Sequence, residues 1–201
     1  FDPLPFGAAE RTRFARASAG VALEFTHRAG FQERGARFGV AGDLYRGVDD
    51  TPSDFHRLEG EAVGYLPLNP RQLLAVRAFA AATRLDDGQG IPFFHLSRVG
   101  GRAGLRGFST DRFRDRDAVG VMAEWRYEVW RDLHQRSRAE FFLFFDEAGV
   151  TSSLGDLSGS DLRASYGFGL RFVTVEGLFG YASIGFGEEG ARFRLGDAWT
   201  F

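Results

Sequence analysis

Alternation of apolar and polar residues with a period of two runs through almost the whole chain, and it limits the fold to β-structure. In the segment 119–129, Val121 and Trp125 share one face of a strand, while Glu124 and Arg126 point to the other. Nine such segments can be marked: 17–25, 36–44, 57–66, 71–84, 119–129, 138–146, 163–172, 178–186 and 192–201. The sequence therefore predicts an all-β, antiparallel fold of about nine strands.

The same segments have the length and composition of strands that cross a membrane. Each spans about ten residues, as a tilted transmembrane strand does. The chain contains 22 Phe and 27 Gly, and the polar faces mix Gly, Arg, Glu and Tyr, which suits a crowded polar lumen. No apolar run approaches the roughly 18–20 residues of a membrane helix. We predict a transmembrane β-barrel; a soluble sandwich or barrel stays open, because its strands also alternate.

The connections between segments alternate in length as well. Short links near 29–33, 68–70, 132–136 and 173–177 alternate with longer ones at 47–54, 86–116 and 151–162, and only the late turn at 188–190 breaks the rule. Outer-membrane barrels have short periplasmic turns and longer outer loops, so this pattern predicts a C-terminus on the periplasmic side.

An odd number of strands predicts that the chain is one part of a larger barrel. Single-chain bacterial barrels have an even number of strands, because both ends lie on the periplasmic side. Residues 1–201 are expected to be the C-terminal part of such a barrel domain. Within it, residues 1–14 are expected to form an irregular lead-in, since Pro3 and Pro5 disfavour a central strand. Residues 85–116 are expected to form a long loop that folds into the lumen.

The chain ends on a segment with aromatic residues at fixed spacing. Arg194 is followed by Gly196, Trp199 and Phe201. An unpaired strand offers backbone N–H and C=O groups that can add to the edge of another sheet. This end resembles the C-terminal β-signal by which outer-membrane barrels are recognised for insertion. Asp197 shares a face with the two aromatic residues and is the one residue that fits this position poorly.

The long loop carries a glycine pair followed by a Leu-Arg-Gly-Phe sequence. This run resembles the loop signature of the BamA/TamA superfamily, also called bacterial surface antigen barrels. In that family the loop folds into the lumen and its arginine meets acidic residues on the following two strands. The residues of this chain that match the signature are Gly100, Gly101, Leu105, Arg106, Gly107 and Phe108.

The resemblance implies that Glu124 and Asp146 are the acidic partners of Arg106. The alternation places both carboxylates on the lumen face independently of the resemblance. A guanidinium held by two carboxylates is a strong and geometrically specific interaction. The resemblance covers roughly residues 17–201 and corresponds to the last nine of the family's sixteen strands. One departure is the run 146–149, which has one residue more before its glycine than the family pattern.

The resemblance implies a barrel in the bacterial outer membrane that inserts, assembles or translocates proteins. Expected partners are outer-membrane lipid and lipopolysaccharide, client outer-membrane proteins or a translocated substrate, periplasmic POTRA domains and accessory lipoproteins. Two alternatives stay open. The barrel could anchor or export an N-terminal enzyme such as a patatin-like phospholipase, or it could be a small passive pore.

Nothing in the sequence suits catalysis, a metal site or nucleic-acid binding. Ser109 and Ser153 lack the context of a nucleophile elbow, and the acids of 111–117 alternate with competing arginines. The 25 basic and 27 acidic residues give a net charge of -2, which offers nucleic acid no attraction. We predict no enzyme activity, no cofactor and no metal. The histidines lack the spacing of metal ligands; they are His27, His56, His95 and His134.

Overall fold

Nine long strands build the computed structural model, which describes residues 7–8, 12–29, 32–48, 53–86, 90–134, 136–174 and 177–196. Three 3₁₀ helices, Phe93–His95, Leu154–Asp156 and Gly159–Asp161, lie in the connections. Among the described residues, no helix is long and apolar enough to cross a membrane. In chain order the strands are β1 (Arg13–Glu24), β2 (His27–Ala29), β3 (Gln32–Val48), β4 (Phe55–Asn69), β5 (Gln72–Leu85), β6 (Ser97–Val99), β7 (Phe113–Asp115), β8 (Asp117–Arg131), β9 (Ser137–Thr151), β10 (Leu162–Thr174), β11 (Gly177–Gly187) and β12 (Gly190–Gly196).

The long strands form one sheet in the order β1-β3-β4-β5-β8-β9-β10-β11-β12. Every neighbouring pair is antiparallel. Each of the nine segments expected from the alternation overlaps one long strand. The short β2 pairs with β3, while β6 and β7 form a separate hairpin. The predicted all-β, antiparallel fold is therefore confirmed. Its two edges, β1 and β12, do not pair with each other in the described part of the chain.

The first strand begins earlier than the sequence indicated. Arg13 already pairs with Val48, so two residues of the expected lead-in, 1–14, belong to β1. The reason is packing: the ring of Phe14 lies edge-on to Tyr45 and Phe55, with centroids 6.3 Å and 6.2 Å away. This contact stabilises the start of the strand.

Burial in this sheet is the reverse of that in a soluble protein. On the outer face, large apolar side chains are exposed; they include Val121, Val129, Leu143, Phe145, Tyr166, Phe168 and Leu170. On the inner face, charged side chains are buried; they include Glu124, Arg126, Arg138, Glu140, Asp146 and Arg171. A soluble sandwich would bury the apolar set and hydrate the charged one. This arrangement removes the soluble alternative and matches a barrel with lipid outside and a polar interior.

The connection between β5 and β8 folds back over the inner face. Its hairpin pairs Ser97 with Asp115 and Val99 with Phe113, and residues 100–108, hereafter the loop tip, lie beyond β6. Side chains of the tip pack against inner-face residues of the sheet in one buried apolar cluster: Ala81, Val99, Leu105, Phe108, Ala118 and Ala148. The sheet and the loop together therefore form the core of this part of the molecule.

Candidate functional site

Two neighbouring strands present one carboxylate each to the loop tip. Glu124 on β8 and Asp146 on β9 both belong to the inner-facing set of their strands. In the antiparallel register Glu124 lies opposite Phe144 and Met122 lies opposite Asp146, so the two acids are diagonal neighbours. Diagonal neighbours on one sheet face lie close enough for one long side chain to contact both.

Glycine gives the loop tip its tight shape. Gly101 has a φ of 66°, a conformation that L side chains rarely adopt, and its N–H donates to the carbonyl of Leu105 at 2.8 Å. Gly107 lies against the backbone of β11, where an added Cβ would come within 2.6 Å of the carbonyl carbon of Phe186. The glycines therefore allow the tip to turn and to lie flat on the sheet, which directs Arg106 towards the acids.

Arg106 joins both carboxylates. Its Nη2 lies 2.7 Å from Oδ1 of Asp146, and its Nη1 lies 2.5 Å from Oε2 of Glu124. The backbone N–H of Arg106 also donates to Oδ2 of Asp146 at 2.9 Å, and the hydroxyl of Ser165 donates to the same oxygen at 3.2 Å. Both side chain and main chain of Arg106 are thus fixed by Asp146.

The pairing takes place out of water. Only 4% of the Arg106 side chain is exposed, against 5% of Glu124 and 0% of Asp146. Burial disfavours the charged guanidinium, but the adjacent carboxylates of Asp146 and Glu124 outweigh it and raise the pKa of Arg106 above its usual value. The guanidinium also lies 3.9 Å from the centre of the Phe144 ring, a cation–π contact. A buried charge of this kind is costly to leave unpaired, so each partner depends on the others.

The site is one end of a longer chain of buried ion pairs along the inner face. Glu124 also accepts from Nε of Arg126 at 2.7 Å and from Nη1 of Arg171 at 3.2 Å. Arg171 in turn pairs with Glu140, and Glu140 lies 2.6 Å from Nη2 of Arg138. These side chains alternate in sign from the loop tip towards the β8–β9 turn. The sheet therefore holds the tip through a connected charge network and not through one isolated pair.

Sequence reasoning anticipated the triad and missed this network. Glu124, Asp146 and Arg106 were expected together, and the structure brings them together. Arg126 and Arg171 were visible only as polar members of alternating strands, with nothing in their spacing to reveal a shared partner. Their common contact with Glu124 depends on the register of three strands, β8, β9 and β10.

The structure describes only part of the expected C-terminal signal. Trp199 and Phe201 lie outside the described residues. Arg194 and Gly196 lie on β12 and belong to its inner face, alternating with the exposed side chains of Phe193 and Leu195. Arg194 extends to the loop tip and donates to the carbonyl oxygen of Arg106 at 3.1 Å. No feature of the sequence indicated this contact.

The residues set aside in the sequence take part in structure. His95 packs edge-on or tilted among aromatic rings of β1, β3 and β4, with its ring centre 4.8 Å from that of Tyr45. The hydroxyl of Ser153 accepts from the N–H of Gly155 at 3.3 Å and caps a 3₁₀ helix. Asp111 pairs with Arg98 at 3.0 Å. Within the described ranges, no group of three or more His, Cys, Asp or Glu residues could hold a metal ion.

Comparison with known proteins assigns the family. Residues 8–181 match the Omp85 superfamily domain. The chain belongs to the Omp85 superfamily. This Omp85 domain shares its fold with the crystal structure of BamA from Haemophilus ducreyi lacking POTRA domains 1–3, with a TM-score of 0.71 and 20% sequence identity. A comparison with curated proteins found no match.

The structural similarity covers 89% of this chain and 40% of the BamA chain. The Omp85 domain described here thus spans less than half of that protein. The predicted barrel fold and the resemblance to BamA-type barrels are confirmed by these matches. Membership of the Omp85 superfamily implies the bacterial outer membrane as the location of the barrel.

Proposed function

We propose that this Omp85 domain is the membrane part of a protein that inserts or translocates other proteins at the bacterial outer membrane. The observation that supports this role is the buried ion-paired triad of Arg106, Glu124 and Asp146. A loop fixed inside the barrel by a buried, ion-paired side chain occupies space that an open pore would leave to water. The proposed process makes and breaks no covalent bonds in the client.

Strand edges supply the means of acting on a client. An edge strand carries backbone N–H and C=O groups that can pair with an incoming strand. In the described part of the chain the sheet ends at β1 and β12. We propose that opening of the sheet beside β12, the last described strand, lets a client strand add to the sheet or leave sideways.

The two faces suggest two classes of partner. Exposed apolar residues such as Phe145, Phe168 and Leu195 fit lipid acyl chains, with lipopolysaccharide at the outer surface. The similar BamA was crystallised without its POTRA domains 1–3. By analogy, periplasmic POTRA domains are proposed as partners in client delivery here, together with accessory lipoproteins. Client outer-membrane proteins are proposed as the substrate class.

Insertion can be measured with the complete polypeptide reconstituted in liposomes. The probe is a urea-unfolded outer-membrane protein of eight strands, and the readout is its heat-modifiable folded band over time. We expect Arg106→Ala to slow insertion about tenfold, because the freed carboxylates stay buried and displace the loop. The matched control is Arg112→Ala, since Arg112 lies in the same loop but pairs with Glu189 at the surface.

The outcome separates the proposed roles. Faster insertion than in empty liposomes, lost with Arg106→Ala and kept with Arg112→Ala, supports an insertase. Rates equal to those of empty liposomes for all three proteins would exclude insertion. In that case the same liposomes loaded with an unfolded soluble protein would show whether the barrel translocates.

A further inference from the structure

Arg194 connects the last described strand to the backbone of the loop tip. Its Nε donates to the carbonyl oxygen of Arg106 at 3.1 Å, and its Nη2 donates to the carbonyl oxygen of Phe108. The guanidinium presents donors in a planar fork, so one side chain can bind two carbonyls two residues apart. This contact spans 88 residues of sequence between Arg106 and Arg194.

The tip lies against the strand next to Arg194 as well. An added Cβ at Gly185 would come within 2.8 Å of the carbonyl oxygen of Arg106, and one at Gly187 within 2.7 Å of the Phe108 ring. Both glycines belong to β11, which pairs with β12 through Ser183 and Arg194. The tip therefore rests on β11 and is fastened from β12, so its position requires that these two strands be paired.

Two contacts of opposite character hold the same short peptide. Asp146 on β9 accepts from the N–H of Arg106, while Arg194 on β12 donates to its carbonyl. The peptide is thereby fixed from both sides, by strands that are three positions apart in the sheet order. Buried peptide groups are costly to leave without partners, so losing either contact favours displacement of the tip.

We propose that Arg194 is a positioning residue that couples the loop tip to the last strand. The tip stays on the inner face while β12 is paired with β11, and withdrawal of β12 releases the two carbonyls and loosens Arg106 from its acids. This inference rests on the proposed function only for the idea that an edge strand moves while a client is inserted or translocated. The coupling itself is a property of the folded domain.

A thiol beneath the tip reports whether the tip is in place. The chain contains no cysteine, and Ser165 is 0% exposed under Gly107, whose added Cβ would lie 2.8 Å from that of Ser165. Ser165→Cys is therefore shielded while the tip is bound. The measurement is the rate at which a small maleimide labels Ser165→Cys in the complete protein purified in detergent.

We expect Arg194→Ala to raise the labelling rate about 10-fold to 100-fold, the range for losing hydrogen bonds from a charged donor. Arg194→Lys should give an intermediate rate, because a single ammonium cannot reproduce the fork of the guanidinium. The matched control is Arg192→Ala. Arg192 lies two residues away on the same strand, and its Nη2 lies 3.9 Å from Oε2 of Glu189. Equal rates for the Arg194→Ala and Arg192→Ala variants would overturn the proposal.

Coupling must act in both directions. Displacing the tip with Arg106→Ala, or with Leu105→Ala where no charge is removed, should speed hydrogen exchange in β12 by a similar factor. Arg98→Ala should not change it, because the ion pair of Arg98 with Asp111 stays within the loop. Both tip variants are first shown to be folded by their heat-modifiable bands. Unchanged hydrogen exchange in β12 in both would mean that Arg194 contacts the tip without coupling it to β12. These measurements use no client, so they can fail while the insertion assay succeeds, and the reverse.

Discussion

The N-terminal and C-terminal halves of the sheet hold the charged side chains of their inner faces in different environments. The N-terminal wall, β1, β3, β4 and β5, carries ion pairs that face open space: Arg16 and Asp43 are 55% and 12% exposed, and Arg37 and Glu61 are 42% and 33% exposed. The C-terminal wall, β8 to β12, buries its pairs, as with Arg126 and Glu124 at 2% and 5%.

In the described residues, the two walls differ in how far the loop tip and large side chains cover them, and not in the kind of residue they carry. A cavity of about 530 Å³ lies beside the N-terminal wall, lined in part by Gly39, Glu61 and Arg77, and an added Cβ at Gly39 would meet nothing within 4 Å. On the C-terminal wall, an added Cβ at Gly167 would come within 2.5 Å of the Phe144 ring. Alternating polar strands thus become a packed core only where the loop tip and large side chains exclude water.

Burial should make similar ion pairs differ greatly in their worth. We expect Asp146→Asn to lower the free energy of unfolding by about 3 kcal/mol or more, because Arg106 keeps its charge in a dry site and loses the carboxylate of Asp146. Asp43→Asn removes a comparable pair from the N-terminal wall and should cost about 1 kcal/mol or less, since Arg16 stays hydrated. Denaturant unfolding in detergent, followed by tryptophan fluorescence, measures both.

The expected difference between the walls would be contradicted if Asp146→Asn and Asp43→Asn lowered the free energy of unfolding by the same amount. Equal large losses would mean that the N-terminal wall is as dry as the other in the working protein. Equal small losses would mean that water enters the triad freely.

The apolar part of the tip provides a second test. Leu105 is fully buried in the apolar cluster that contains Ala118 and Ala148 of the C-terminal wall. Leu105→Ala should cost about 2–3 kcal/mol, near the lower end for a buried leucine because the tip can settle into the space. The same substitution at Leu133, which is 99% exposed in the turn after β8, should leave the unfolding midpoint unchanged. A midpoint as high for Leu105→Ala as for Leu133→Ala would show that the tip contributes no packing.

Much of the fold was accessible from the sequence because a strand alternates strictly between two faces. Period two located all nine long strands, and the same parity placed Glu124 and Asp146 inward. The strand boundaries were harder to predict from the sequence. β1 begins at Arg13 because Phe14 packs on Tyr45 and Phe55, which are distant in sequence.

Only the part of the site that forms a local sequence pattern could be predicted from the sequence. The glycines and Arg106 lie in one run of residues, whereas Arg171 reaches Glu124 across 47 residues and Arg194 reaches Arg106 across 88. An inward-facing arginine on any strand looks the same in a sequence, since its partner is fixed by register and curvature. The expected signal residues Trp199 and Phe201 remain a prediction.

The loop itself joins the two walls, and its attachments respond to different conditions. Its tip is held on the C-terminal wall by ion pairs, while His95 holds its first part on the N-terminal wall among the rings of Phe14, Tyr45 and Phe55. Burial, together with the nearby guanidinium groups of Arg57, Arg16 and Arg98, lowers the pKa of His95 below its usual value.

This lowered pKa predicts a small loss of stability in acid that is confined to the N-terminal attachment. The folded state favours neutral His95, so its contribution is complete above the unfolded pKa of about 6.5 and is lost as the pH falls towards the lower folded value. We expect the unfolding midpoint to drop slightly between pH 7.5 and pH 5.5. His95→Phe keeps the aromatic packing without a titrating group, so its midpoint should drop less over that interval. The labelling rate of Ser165→Cys, divided by that of a fully exposed cysteine at the same pH, should stay constant from pH 7.5 to pH 5.5, because arginine keeps its charge throughout and the loss of thiolate cancels in the ratio. Equal drops in midpoint for the two proteins would show that His95 does not report on this attachment.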